Sequence, residues 1–410
     1  MPSSTLEVAN ILSLYGQQFS QCRSLSSEQK KAMEDIQACR TATLGGHVDV
    51  CSNGCGYSSI SYNSCRNRHC PKCQNLRQAK WLEERTKRLL PTHYFHMVVT
   101  LPHELNPMVL LNREFLYNLL FQAASQALLQ LALGYERLRA QVGFTAVLHT
   151  WDQDLHFHPH LHIIVTGGGL SPKGDQWVPS KNSFLVPIKA LSKIIRAKFM
   201  EALDTTYQQG RLKGEIDCLK NLPNFRRFTR KLRRKKWVVY SKPPFGGSQH
   251  VYRYISRYTH RVAISNQRLL SLSENTLTFR ARDNDNPGHH RLVSITPQEF
   301  IRRFLMHILP PRFVKIRHYG LMASCNAKTK LETARALITL PPTPYSDQFS
   351  SQYSDSPKPT SAKTWRETLR ELTGIDLTVC PKCSTGKLLR YPLLKADQNL
   401  CYLTPIWDSS

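Results

Sequence analysis

The segment VLHTWDQDLHFHPHLHIIVTGGG, residues 147–169, constrains this chain more than any other. It holds five histidines, four of them at alternate positions, between runs rich in β-branched residues. GFTAVLHTW and HLHIIVTGG read as two strands joined by the polar connection DQDLHFHP, which predicts an antiparallel hairpin. Pro159 cannot donate a ladder hydrogen bond, so the second strand is expected to start there. Alternate residues of a strand share a face, so His160 and His162 project side by side with Leu161 buried behind them. The hairpin brings His149 alongside. A lone strand histidine is ordinarily polar surface, but three stacked imidazoles leave ring nitrogens unsatisfied unless an ion joins them. His149, His160 and His162 are therefore candidate ligands of a divalent metal, with His156 and His158 on the approach loop.

Cysteine usage points to a second kind of metal chemistry. Of twelve cysteines, six (Cys39, Cys51, Cys55, Cys65, Cys70 and Cys73) fall between residues 39 and 73, and clustering at short spacing reads as metal ligation. In CSNGCGYSSISYNSCRNRHCPKCQ, Cys51 and Cys55 form a CxxxC pair and Cys70 and Cys73 a CxxC knuckle, with Cys65 and His69 between them. A tetrahedral structural zinc takes four such ligands, and tight turns present them in pairs. Six candidates compete in this stretch, and Cys51, Cys55, Cys70 and Cys73 are the expected set. At the other end of the chain Cys380 and Cys383 form a lone CxxC near Cys401.

Charge narrows the partner. The chain has 410 residues, and its 56 Lys+Arg against 29 Asp+Glu leave +27, which points to a polyanion such as nucleic acid. No apolar run approaches the ~18 residues that span a bilayer, and no signal-peptide core opens the chain, so a soluble cytoplasmic protein without a membrane partner is expected. Eight Lys/Arg crowd residues 226–236. Downstream, YRYISRYTHR places Tyr254 and Tyr258 four apart, on one face of an expected helix, flanked by Arg257 and Arg261. Such a pair is ordinarily core packing. Beside a metal triad and a basic run it has another reading, because cations turn a phenol into a nucleophile and a metal makes a phosphodiester attackable. These are the parts of a DNA-nicking site.

Elsewhere the pattern mixes helix and strand. An amphipathic helical lead-in is expected to about residue 38, a helix runs through QAKWLEERTKRLL, and HYFHMVVTLP alternates like a strand. Helices follow at about 113–139 and 188–210, then the strand WVVYSK with a PPFGG turn, strands in LLSLSENTLTFRAR and HHRLVSIT, and a helix from Pro297. A Pro-, Ser- and Thr-rich stretch near 341–363 reads as a linker.

Together these motifs resemble the two-tyrosine, rolling-circle transposases of the HUH (His-hydrophobic-His) endonuclease superfamily, in the bacterial insertion-sequence lineage. SYNSCRNRHCPKCQ is similar to their zinc-binding domain, HPHLH to their metal motif and YISRYTHRVAIS to their nucleophile helix, with WVVYSKPPFGG and KIRHYG also fitting, over about residues 44–320. The resemblance implies an α+β chain: an N-terminal zinc-binding domain at 1–90, an HUH catalytic domain with a central antiparallel sheet and packed helices at 91–335, a linker at 336–363, and a small C-terminal module with CxxC at 364–410. It implies Tyr254 and Tyr258 as nucleophiles, Mg²⁺ or Mn²⁺ on the histidines, and Lys242, Arg257 and Arg261 as phosphate contacts. Single-stranded DNA at transposon ends and target DNA would be the partners, cut through a 5′-phosphotyrosine link in a bacterial, nucleoid-associated setting. A plasmid replication initiator or relaxase, or an inactive zinc-dependent DNA-binding regulator, would share many of these features.

Overall fold

The computed structural model describes residues 6–73, 81, 84–134, 138–181, 185–245, 262–283, 286, 288–339, 370, 376 and 378–394. Its backbone divides into two compact units, the first made of residues 1–80, 264–308 and 357–410, the second of 81–263 and 309–356. This division departs from the expected linear order of domains. The expected catalytic stretch gives residues 264–308 to the first unit, and the C-terminal CxxC segment joins that unit instead of standing alone.

In the first unit the expected helical lead-in is two helices, α1 (Val8–Gln21) and α2 (Ser27–Ala38). The break falls where Ser26 caps α2: its side chain accepts from the Gln29 N–H, and Gln29 bonds back to the Ser26 backbone at 3.0 Å. Gly16 lets the helices close, since a Cβ there would lie 2.9 Å from the Met33 Cε. Strands β1 (Gly46–Cys51) and β2 (Ser58–Tyr62) pair antiparallel beyond them. The stretch from 264 to 308 adds the meander β8 (Leu269–Leu272), β9 (Leu277–Arg282), β10 (His290–Ile295) and helix α7 (Pro297–Met306). Thr296 caps α7 and Pro297 takes its first turn, where a missing N–H costs nothing. Phe300 stacks with Phe304 and meets Phe279 edge-on in this core, and α1 packs on α7.

The second unit is built on an antiparallel sheet of strand order β11-β4-β5-β3-β7, with β6 (Trp177–Pro179) on the far end of β5. The strands are β3 (Tyr94–Thr100), β4 (Gln141–Trp151), β5 (Phe157–Leu170), β7 (Val239–Phe245) and β11 (Ile316–Gly320). One face carries Phe144, Ala146, Leu148, Leu161, Ile163 and Val165, all buried. Helix α4 (Arg113–Leu133) lies on that face, where Arg317 of β11 bonds the Asn118 side chain and sits 4.2 Å from the Phe121 ring centroid. Helix α5 (Ile188–Gln208) packs beside α4 and against β7. A short helix α3 (Asn106–Leu111), which periodicity does not announce, precedes α4. The basic run forms α6 (Leu222–Arg234), whose apolar side buries Phe225 and Leu232.

Two prolines depart from expectation. Pro159 lies inside β5, which begins at Phe157; the register shift between His149 and Trp151 relaxes the ladder there, so the missing donor is tolerated. Pro243 and Pro244 extend β7 instead of turning, which an edge strand permits.

Glycines mark the close approaches. Gly167 admits the His93 ring, which a Cβ would meet at 2.2 Å, and Gly320 has φ +58 with the Val142 oxygen 1.9 Å from where a Cβ would stand. Gly320→Ala should therefore lower stability by roughly 2 kcal/mol or more. Gly210→Ala, at φ +64 with nothing within 4 Å, should cost clearly less. Urea midpoints of the two variants test this, and equal losses would mean that the close approach at Gly320 contributes nothing.

Candidate functional site

The pairing of β4 with β5 sets the site. His149 stands directly opposite His160, and the two-residue period keeps His162 on the same face. The ligand nitrogens of His149, His160 and His162 all lie within 4.8 Å of one another. His149 is 3 % exposed and His160 8 %, while Leu161 behind them is fully buried. The Trp151 ring stacks on His149 at 4.6 Å between centroids.

Hydrogen bonds fix which nitrogens face inward. The Nδ1–H of His160 donates to the His158 carbonyl at 2.7 Å, which leaves the Nε2 lone pair pointing at His162 Nε2, 3.1 Å away. With the His162 proton on Nδ1, a cation between the two Nε2 atoms would accept both lone pairs, so this donor set fits a metal. The other side of His162 meets a residue the sequence did not single out. His96 of β3 places its Nε2 2.9 Å from His162 Nδ1, with the rings stacked at 5.1 Å. If His162 Nδ1–H donates to His96, its Nε2 is the ligating atom, so His96 orients the ligand. The only signal for it was a histidine inside the otherwise apolar run YFHMVVT. His156 lies on the connection, 3.1 Å from Asp152, whereas His158 belongs to β5.

Burial holds the His160 and His96 imidazoles neutral. It pushes His160 down to about 4, and His96 to about 4 with help from the Lys242 charge. Lys242 is the cross-strand partner of His96 on β7, exposed and on the triad's face. Further along that face His318 bonds Thr145 at 2.8 Å and is held at about 4 by burial and by Arg85 and Arg88. Tyr254, Tyr258, Arg257 and Arg261 lie outside the described residues.

The cysteines correct the expected zinc set. Cys70 and Cys73 converge with Cys39 and Cys65, whereas Cys51 and Cys55 group with Cys380 and Cys383. The reason is the β1–β2 hairpin: Cys51 ends β1 and Cys55 sits in its turn, while Cys39 follows α2 and meets Cys73 at 3.3 Å. Cys39, one of the clustered cysteines, was left out of the expected four because no short-spacing partner accompanies it. Cys65 lies 3.6 Å from Cys73, and sulfurs around a tetrahedral zinc stand about 3.8 Å apart, so the spacing suits an ion. Hydrogen bonding from Cys70 holds Cys65 at about 5, while that same bond and burial push Cys70 up: the sulfurs cannot all ionise without a cation. His69 is not among these ligands; its N–H bonds the Asn67 side chain at 2.9 Å.

The buried histidines give the second unit a pH dependence. As pH falls the unfolded chain takes up protons near 6.5, while His96, His160 and His318 resist to about 4, so stability is lost progressively across that window. At about 1.4 kcal/mol per pKa unit, the loss should reach a few kcal/mol. Urea midpoints of chain dialysed free of added divalent ions should fall between about pH 7.5 and 5, less so in His318→Gln. A flat profile would rule out neutral burial of these rings.

Comparison with known proteins places the chain in a family. The family described as "Transposase zinc-binding domain" matches residues 11–101, and the one described as "Putative transposase" matches residues 143–330. The chain is 42 % identical over 393 residues to "Putative transposase y4qJ" of Sinorhizobium fredii, covering 95 % of this chain and 96 % of that one. It is 27 % identical over 318 residues to "Transposase for insertion sequence element IS801" of Pseudomonas savastanoi pv. phaseolicola, covering 75 % and 74 %. No solved structure matches it. The zinc-binding match and the thiol clusters support structural zinc, and among the described residues no helix is long and apolar enough to cross a membrane. Similar to one such protein along nearly its whole length and carrying their zinc-binding domain at its N-terminal end, the chain belongs to the IS91-type transposases.

Proposed function

We propose that this transposase cleaves and rejoins single-stranded DNA at the ends of its element through a 5′-phosphotyrosine intermediate, by rolling-circle transposition. The observation that carries this reading is the convergence of three imidazoles on one face of an antiparallel sheet. In this reading His149, His160 and His162 hold Mg²⁺ or Mn²⁺, which supplies positive charge at the scissile phosphate. An all-imidazole set suits a softer ion than Mg²⁺, so Mn²⁺ is the better match of the two.

The chain's own residues do the rest. The phenol oxygen of Tyr254 or Tyr258 attacks phosphorus, the P–O3′ bond breaks, and the departing oxygen takes a proton to become a 3′-OH. The new ester conserves the phosphodiester energy, so a later 3′-OH can reverse the exchange without ATP. A second tyrosine permits a second cut before the first is resolved. Lys242 on the triad's face, with Arg257 and Arg261, contacts the flanking phosphates. Helix α6 adds a surface for the strand: Arg226, Arg227, Arg230, Lys231, Arg233 and Arg234 are all exposed on it. Acting on a bacterial element's DNA, the protein would work at the nucleoid.

Two experiments test this reading. His160→Ala with His162→Ala should lower cleavage of an end-derived oligonucleotide on the order of 10³-fold, while filter binding changes little, because phosphate contacts carry affinity. Cleavage that survives in the double variant would remove the metal role. Tyr254→Phe and Tyr258→Phe should each reduce strand transfer, and together they should leave no denaturant-resistant protein–DNA adduct. An undiminished adduct mapped to another residue would refute the tyrosine assignment.

A further inference from the structure

We propose that Cys51, Cys55, Cys380 and Cys383 form a second structural zinc site, in which the C-terminal CxxC completes a half-site on the N-terminal β1–β2 hairpin. The four sulfurs lie within 4.8 Å of one another, with Cys51 3.6 Å from Cys383 and Cys55 3.5 Å from Cys380. These spacings are near the roughly 3.8 Å of a tetrahedral zinc tetrathiolate and far from the ~2.05 Å of a disulfide.

Local backbone geometry is that of a metal knuckle. Residues 380–383 read CPKC, the same tetrapeptide as 70–73 in the first cluster. In each the chain folds back on the first cysteine: the Ser384 N–H donates to the Cys380 carbonyl at 2.9 Å and the Cys73 N–H to the Cys70 carbonyl at 3.3 Å. Backbone N–H groups also aim at sulfur, Gly386 at Cys383 (3.3 Å) and Asn53 at Cys51 (3.4 Å), as suits thiolates. Gly386 is needed for the approach, because a Cβ there would stand 2.4 Å from the Cys51 sulfur.

The docking is specific as well. Strand β12 (Leu388–Leu393) pairs antiparallel with β1 from Gly46↔Leu393 to Cys51↔Leu388. Arg390 grips Asp49 with two bonds of 2.8 and 3.1 Å, the Lys382 ammonium donates to the Cys55 carbonyl at 2.7 Å, and the Ser52 N–H donates to the Lys387 carbonyl at 2.8 Å. Cys51 and Cys383 are 332 residues apart, so nothing local holds them together. The zinc-binding family match ends at residue 101 and does not reach the CxxC. A tetrahedral ion supplies the cross-link that a ladder at the hairpin's edge would otherwise have to hold alone.

The full-length protein tests this. Elemental analysis should find two zinc ions per chain, falling to one in Cys380→Ser with Cys383→Ser and to one in Cys70→Ser with Cys73→Ser. In the unmutated, zinc-loaded chain, N-ethylmaleimide followed by peptide mapping should label Cys51, Cys55, Cys380 and Cys383 at least about tenfold more slowly than the exposed Cys22 and Cys325, and a chelator should abolish the difference. Labelling of the unmutated chain decides the matter even if a variant does not fold. One zinc per chain, two zincs retained by the Cys380/Cys383 variant, or Cys380 and Cys383 labelled as fast as Cys22 would each overturn the proposal.

Discussion

The register between β4 and β5 is the constraint on which the rest of the second unit depends. Because the side-chain period of a strand is two, a slip of one residue would turn His149 toward α4 and put Leu148 in its place. That slip is strongly opposed: Leu148, Leu161, Ile163 and Val165 bury completely or nearly so on the helix-covered face, and each would lose that burial together. The triad is thus aligned by apolar side chains on the opposite face of the sheet. The same register carries His96 and Lys242 onto the histidine face through β3 and β7.

Electrostatics then divides the labour. A chain of charge +27 has to bring three nitrogen ligands together without adding more positive charge, and at His160 burial does this by keeping the imidazole neutral. Most of the basic run's cations sit elsewhere, on the exposed side of α6, while Lys242 stands exposed on the triad's face across from His96. The separation suits the proposed chemistry, since exposed cations can follow a backbone without a desolvation penalty while the ion at the triad acts where water is scarce.

What the sequence made legible was what is local. The hairpin, its two-residue alternation and the pairing of His149 with His160 all follow from one stretch of the chain, and so do α4, a long helix apolar nearly all round, and α5 and α7, whose apolar residues recur on one face. The prolines misled because their cost depends on tertiary place: Pro159 sits at a register shift and Pro243 and Pro244 on an edge strand. His96 was missed because its partner lies on another strand. The zinc ligands were mis-sorted for the same reason, since spacing pairs Cys51 with Cys55 and Cys70 with Cys73 but cannot say which pair joins which. The expected tyrosine pair lies outside the described residues.

The nonlocal part of the cysteine pattern has a consequence for how the chain is assembled. Before residues 388–393 exist, β1 has a partner on one side only, and before residues 297–306 exist, α1 has no α7 to pack against. The second unit, by contrast, takes four of its sheet's main strands from one continuous stretch, residues 94–245, and needs only β11 from beyond residue 309. Loop-closure entropy therefore falls mainly on the first unit, whose segments are joined across the whole sequence. A thiolate site that stays open until its last two cysteines arrive fits that order. Its ligation energy becomes available only when the hairpin and the C-terminal strand are already in register, so the ion rewards the completed unit and not a fragment of it.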